Sequence, residues 1–307
     1  MTLHEIPLER RTLHGHFSRD LEPVVTIDSG DTIAFACLDS GWNVEPGTKY
    51  EPRDPELDAG HALIGPVEVR DATAGRTLEV SVDRVVPGAW GWCGAGDWST
   101  PLNERLGLTT GGVYLHWELD ATSGTGRDDR GRELALRPFL GVLGMPPPEH
   151  GMHSTTPPRI WGGNIDCKEL VEGTRLYLPV PVDGALFSAG DCHARQGDGE
   201  VSQLAIECPL ERGELTLRLS ELEVGTPIAW TPEAWVTFGF HEDLDEAASI
   251  ALDAMLELMG REHDVGRADA LALASLVVDF RITQVVNEVQ GVHALLPHDA
   301  LAFPTNS

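Results

Sequence analysis

Apolar and polar positions alternate with a period of two through most of the first 240 residues. Val24-Val25-Thr26-Ile27 and Thr32-Ile33-Ala34-Phe35-Ala36 flank the turn Asp28-Ser29-Gly30-Asp31, a pattern that predicts a β-hairpin. Residues 64–70 and 77–86 alternate again, with Leu78, Val80 and Val82 on one face and Glu79, Ser81 and Asp83 on the other. Residues 113–119, 214–219 and 235–240 read as further strands, and 136–144 is a short apolar run. The period then changes. Ala, Leu, Ile and Met recur at helical spacing from Asp243, a candidate N-cap, to Gly260, a candidate stop. A second helix is expected over 267–276 and a closing strand over 280–286. The pattern predicts a mainly β protein of packed sheets, sandwich-like or barrel-like, with a small α+β C-terminal portion. Residues 1–240 form the β-rich region that carries the site, and 241–307 an α+β portion packed on it.

Between these elements lie segments with other signatures. Residues 39–62, punctuated by Gly41, Pro46, Gly47, Pro52, Pro55 and Gly60, read as a long loop of the kind that is functional or disordered. Asp39 at its start is either drawn to a site or a solvated strand end. Trp90, Trp92 and Trp98 stand among glycines, where they wall a small-ligand pocket or fill a core or interface. His116 and Glu118 share a strand face; a structural pair is the plainer reading. His150 and His153 fall in the Pro-rich connection 146–158, lining a pocket or simply solvated.

Charge narrows the function classes. Lys+Arg 22 against Asp+Glu 49 leaves a net charge of −27. Such a chain repels a phosphate backbone and an anionic membrane surface, while a neutral ligand meets no barrier. Nucleic-acid and membrane partners are therefore not expected. The five cysteines, Cys37, Cys93, Cys167, Cys192 and Cys208, are odd in number with no Cys-x-x-Cys pair, so no disulfide framework is expected. The N-terminus MTLHEIPLER lacks a signal pattern, and the apolar run at 271–278 is too short to span a bilayer. A cytoplasmic protein is expected. Strand edges and apolar side chains of a strand-rich fold predict a homo-oligomer, a dimer or higher.

Chemistry concentrates in residues 160–207, where Asn164, Asp166, Asp191, His193, Gln196, Asp198, Glu200 and Glu207 are spaced by glycines. Asp191 and His193 share one face of an extended segment. Gln196-Gly197-Asp198-Gly199-Glu200 reads as a hairpin turn that returns a strand, 200–207, beside them. In a regular strand Glu200 and Glu207 face opposite ways, and Glu200, nearer the turn, is favoured for the pocket. The loop 162–166 supplies further ligands. Asp166, Asp191, His193 and Glu200 form a candidate divalent-metal set. Imidazole mixed with oxygen makes zinc the first choice, and calcium follows if the ligands prove all oxygen. Glu200 and Glu207 are candidate proton carriers, and Asn164 and Gln196 candidate hydrogen-bonding or orienting groups. Cys167 and Cys192 flank these positions as bystanders or, less simply, a nucleophile. The plain alternative is a set of solvated turn residues, which the density of polar groups weighs against.

These motifs resemble the acetamidase/formamidase family. The segments GGNIDCKEL, YLPVPVDGALFSAGDCHARQGDGEV and AIE carry the resemblance, with Pro138–Gly144, Gly65–Val69 and the closing ALASLVVDFRITQVVNEVQGVHALLP extending it over nearly the whole chain. The chain is shorter than the family's long acetamidases, and Cys192 stands where a glycine or small residue is more usual. The resemblance implies a mainly β fold and hydrolysis of the C–N bond of a small neutral carboxamide, formamide or acetamide among them. Two other readings stay open: a non-catalytic β protein binding a small ligand or metal, and a hydrolase of a carbamate or cyclic imide.

Overall fold

The alternating segments pair into two large open sheets in the computed structural model, which describes residues 1–302. The nine-stranded sheet runs through Leu3–Ile6, Asp31–Cys37, Leu210–Ser220, Thr77–Pro87, Arg175–Pro179, Ile228–Trp230, Ala234–His241, Val289–Pro297 and Asp279–Asn287. The 11-stranded sheet has as its main run Glu133–Ala135, Thr125–Asp128, Val113–Asp120, Trp90–Ala95, Glu207–Cys208, Phe187–His193, Phe139–Gly144 and Gly162–Asn164. Leu63–Val69 also pairs with Phe187–His193. First and last strands of neither run meet, so the sheets pack in layers and do not close into a barrel. Ile33, Phe35, Val80 and Leu215 of one sheet and Ile64, Leu140, Phe187 and Cys192 of the other belong to one buried cluster. Burying each such side chain is worth roughly 1.5–3 kcal/mol.

The hairpin expected at 24–36 does not form. Asp31 N–H bonds to Asp28 O at 3.0 Å and Gly30 sits at φ 93°, so the turn is present. It carries the chain between sheets instead. Val25–Ile27 pairs in parallel with Leu63–Val69, while Asp31–Cys37 pairs with Leu3–Ile6 and Leu210–Ser220. Turn chemistry sets the reversal; the partner is set by which strand can bury Ile27 and Ile33 between the layers.

After residue 243 the period of 3.6 takes over. Asp243 caps the helix Leu244–His263, its side chain accepting from the Asp245 and Glu246 N–H groups. The helix runs through Gly260, expected as a stop, and ends at left-handed Asp264. A mid-helix glycine costs about 1 kcal/mol, less than burial of Leu256, Leu258 and Met259 returns. Ala247, Ala251, Met255 and Met259 pack on Val292, Ala294 and Leu296 of the nine-stranded sheet. Gly239 permits that approach, because a Cβ there would strike the backbone of Ala247. The second helix, Arg267–Val277, leads into the antiparallel pair Asp279–Asn287 and Val289–Pro297, which completes the sheet edge. Of the portion expected over 241–307, residues 303–307 lie outside those described. No described helix is long and apolar enough to cross a membrane.

The two faces of the larger sheet carry different side chains. Leu140, Cys192, Cys208, Cys93 and Leu115 lie toward the core. Between them in sequence, Phe139, His193, Glu207, Trp92 and His116 are directly opposed from strand to strand on the other face.

Candidate active site

The site grows on that second face from three neighbouring segments. Phe187–His193 brings Asp191 and His193. Phe139–Gly144 lies beside it, placing Gly141 over both. A Cβ on Gly141 would sit 2.7 Å from Asp166 Oδ1 and 2.9 Å from His193 Cε1, so only glycine leaves the space open. On the far side of that strand Gly162–Asn164 pairs with it, and the chain then turns inward at Asp166. Asp166, Asp191 and Glu200 all hold left-handed backbone, with φ of 52°, 58° and 44°. Each such residue costs on the order of 1–2 kcal/mol, strain that is characteristic of functional sites.

His193 is the hub. Asp166, Asp191 and His193 each offer an atom within 4.8 Å of the others, and so do His193, Glu200 and Glu207. His193 Nε2 lies 3.2 Å from Asp191 Oδ1 and 3.4 Å from Glu207 Oε1. Asn287 Nδ2 donates to Asp166 Oδ2 at 2.9 Å and to Glu200 Oε2 at 3.4 Å. Gln196 Nε2 donates to Asp166 O at 2.7 Å, and the Ala205 N–H to Glu207 Oε1 at 2.9 Å. All these side chains are buried, and several of their atoms remain without a hydrogen-bond partner: Asp166 Oδ1, Asp191 Oδ1, His193 Nδ1 and Glu207 Oε2, as do Asn164 Oδ1 and Gln196 Oε1.

Four buried carboxylates around one imidazole are electrostatically overloaded. Burial pushes the Asp166 carboxyl well above its ordinary range, and the Glu200 charge adds to the push. Burial likewise raises Glu200 to about 8; His193 opposes this, and the Glu207 and Asp191 charges reinforce it. Asp191 goes the other way. Burial acts upward on it, but the positive charges of His193 and His61 outweigh burial and hold it ionised. Burial acts downward on His193, and Asp191 and Glu207 reverse that, raising the imidazole well above 6.5. Unpaired buried acceptors and proton-hungry carboxylates are what a divalent cation would satisfy, and the oxygen and imidazole donors suit one chemically. Gly141 supplies the room. The residues present thus fit a metal centre.

Strand 200–207 is where expectation and structure part. Residues 201–206 are turns and bends, Gly199 bridges to Gln284, and the chain returns to the sheet only at Glu207, opposite His193. Freed from strand alternation, Glu200 and Glu207 both reach the cluster, where a regular strand would have admitted one. Asn164 points an amide at Thr156 O, 3.1 Å away. Asp198 instead pairs with Lys168 at 2.6 Å. His150 pairs with Asp20, and His153 Nε2 lies 3.0 Å from Glu149 O. Trp98 Nε1 donates to Gln203 Oε1 at 2.6 Å, apart from Trp90 and Trp92. Arg195 donates to Ala135 O on the exposed side. Cys192 turns to the core, its sulfur 3.6 Å from that of Cys208, and burial pushes the Cys167 thiol far up, so neither offers a thiolate to the cluster.

Gly141, Asn287 and His61 escaped the sequence reading. Gly141 had a signal, a glycine inside a wholly apolar strand. Asn287 ends the strand Asp279–Asn287, where nothing local distinguishes it. His61, whose Nδ1 is 2.7 Å from Thr155 Oγ1, acts on Asp191 through its charge from the end of the long loop.

Known proteins resemble this chain in both sequence and fold. Residues 3–154 and 149–220 match the profile of the Acetamidase/Formamidase family. A formamidase of Methylophilus methylotrophus is 52% identical over 249 residues, covering 62% of this chain and 60% of that protein. A putative formamidase of Schizosaccharomyces pombe is 26% identical over 316 residues, covering 76% and 74% respectively. The chain thus spans about six-tenths of the first relative and three-quarters of the second. The crystal structure of an acetamidase from Bacillus halodurans superposes with a TM-score of 0.83 at 27% identity, covering 95% of this chain and 97% of that one.

Proposed function

The chain belongs to the acetamidase/formamidase family, and from that premise we propose that it hydrolyses the C–N bond of small neutral carboxamides to carboxylate and ammonia. The observation that carries this reading is the buried cluster around His193, with unpartnered acceptors converging on one open point beneath Gly141. An amide resists water because its carbonyl is resonance-stabilised and its nitrogen leaves poorly. Hydrolysis therefore needs an activated water, a polarised carbonyl and a proton for the nitrogen. Asp166, Asp191 and His193 are assigned as holders of a divalent ion, zinc before calcium because the set includes an imidazole. Bound there, such an ion lowers the pKa of water and polarises a carbonyl.

The remaining residues move protons and orient the amide. Glu207 Oε2, buried and unpartnered, takes the proton of the attacking water. Glu200, raised to about 8, holds a proton near neutral pH and gives it to the departing nitrogen. Asn164 Oδ1 and Gln196 Oε1, unpartnered acceptors, receive the amide N–H groups. Gln196 and Asn287 also hold Asp166 in place.

Ammonia release from formamide, acetamide and propionamide tests the reading, and turnover of at least one is expected. All three inert while a carbamate or cyclic imide is cleaved would move the assignment to another amide-like bond. No cleavage of any such compound by the metal-loaded chain would leave a non-catalytic binding protein. A homo-oligomer and a cytoplasmic setting complete the proposal. The edge strand Asp279–Asn287 supports the first, since it exposes Phe280 and Ile282. Unpaired cysteines support the second. A monomeric mass by light scattering would remove the oligomer.

A further inference from the structure

One strand along the site face, Trp92 stands directly opposite Glu207, and His116 directly opposite Trp92. Trp90 and Tyr114 share that face by alternation. Beneath the loop that carries Asn43 and Lys49, these four aromatic side chains line a pocket of about 300 Å³. Trp92 and Tyr114 have ring centroids 6.1 Å apart. Trp92 is also held from behind. Its Nε1 donates to Asp39 Oδ2 at 2.9 Å, and the wholly buried Asp39 accepts from Asn43 N and Asn43 Nδ2, both at 2.6 Å. One carboxylate thus ties the wall of the pocket to its roof. Trp92 links the two: it lines the aromatic pocket and stands opposite Glu207 of the His193 cluster on the neighbouring strand.

The chemistry of the lining selects the occupant. No carboxylate lines this pocket in a chain of net charge −27, and three of its side chains are large, flat and apolar. A cavity of about 150 Å³ admits a benzene ring, so this one has room for a ring with a short linker. Resting on the amidase reading of the adjoining cluster, we propose that the pocket is the subsite for the apolar substituent of the amide. The substrate class thereby extends from short aliphatic amides to aryl and arylalkyl amides. Trp90, Trp92 and Tyr114 determine that specificity, and Asp39 is the positioning residue that holds Trp92.

Two measurements on the full chain test this: the Kd of phenylacetamide and of acetamide by calorimetry, and kcat/KM for both by ammonia release. Phenylacetamide is expected to bind at least about tenfold more tightly than acetamide, the scale set by burying a ring. Trp90→Ala and Tyr114→Ala should each lower the phenylacetamide-to-acetamide ratio of kcat/KM by about tenfold. Both side chains are partly or largely solvent-exposed, so the core is not disturbed. Asp39→Asn should raise KM for phenylacetamide more than for acetamide, a split that a general loss of folding would not produce. Equal affinity for the two amides, or a preference that survives both alanine replacements, overturns the subsite. Acetamide turnover without phenylacetamide binding sinks the subsite alone. Phenylacetamide bound through Trp90 and Tyr114, with no ammonia from either amide, keeps the subsite and sinks the amidase reading.

Discussion

Two buried histidines meet opposite ends of the strand Phe187–His193 and behave oppositely. At one end His14 Nε2 is 2.9 Å from Ser188 Oγ, and His14 Nδ1 is 2.7 Å from His16 O. Both ring nitrogens have partners, and no carboxylate is among the groups that act on the ring. Burial dominates and drives its pKa from 6.5 down to about 4. At the other end His193 is equally buried, yet Asp191 and Glu207 hold it charged. Its Nδ1 lacks a hydrogen-bond partner, as do Asp166 Oδ1, Asp191 Oδ1 and Glu207 Oε2 around it. The difference separates structural from chemical burial. A polar group kept for the fold is neutral and satisfied; one kept for chemistry is left with capacity that something else must fill.

The comparison is sharpest when each histidine is removed. His193→Ala should cost at least about 10³-fold in amide turnover, because ligand and hub leave together. It should cost stability as well, because the one positive charge among four buried carboxylates is lost. His14→Ala should cost stability alone, about 1–3 kcal/mol, by leaving Ser188 and the His16 carbonyl without partners. Urea denaturation and ammonia release on both variants check the pair; a large activity loss in His14→Ala with no stability loss would break the distinction.

The smaller effect is one of pH. A neutral histidine with a lowered folded pKa contributes stability that is fully present above the unfolded value of 6.5. Below it the unfolded chain takes up the proton first, so the contribution is lost as pH falls from 6.5 towards about 4. At 1.36 kcal/mol per unit the loss is about 3 kcal/mol. Denaturation midpoints should fall over that window in the wild-type chain and fall less in His14→Gln. A pH profile identical in the two would show that His14 is not buried neutral.

How much of this was legible in the sequence depends on whether the deciding contact was local. Asp191 and His193 share a face because strands alternate, and the structure keeps them there. The helix cap at Asp243 was legible for the same reason. Glycine spacing around Asp166 and Glu200 pointed to tight turns, and both residues do hold left-handed backbone. What was not legible depended on distant partners. Residues 200–207 alternate well enough for a strand, but Gly199 bridges to Gln284 and the segment becomes a loop. The strand at 25–27 found Leu63–Val69 in place of its sequence neighbour. Asn287 reaches Asp166 only because the closing strand lies beside the site loop.

Whether the His193 cluster holds a catalytic cation is read most directly by elemental analysis of the chain purified without chelator, with ammonia release followed on the same samples. About one divalent ion or more per chain is expected, with metal and amide turnover lost together on chelation and in His193→Ala. A chain free of metal that still hydrolyses acetamide at full rate would contradict it.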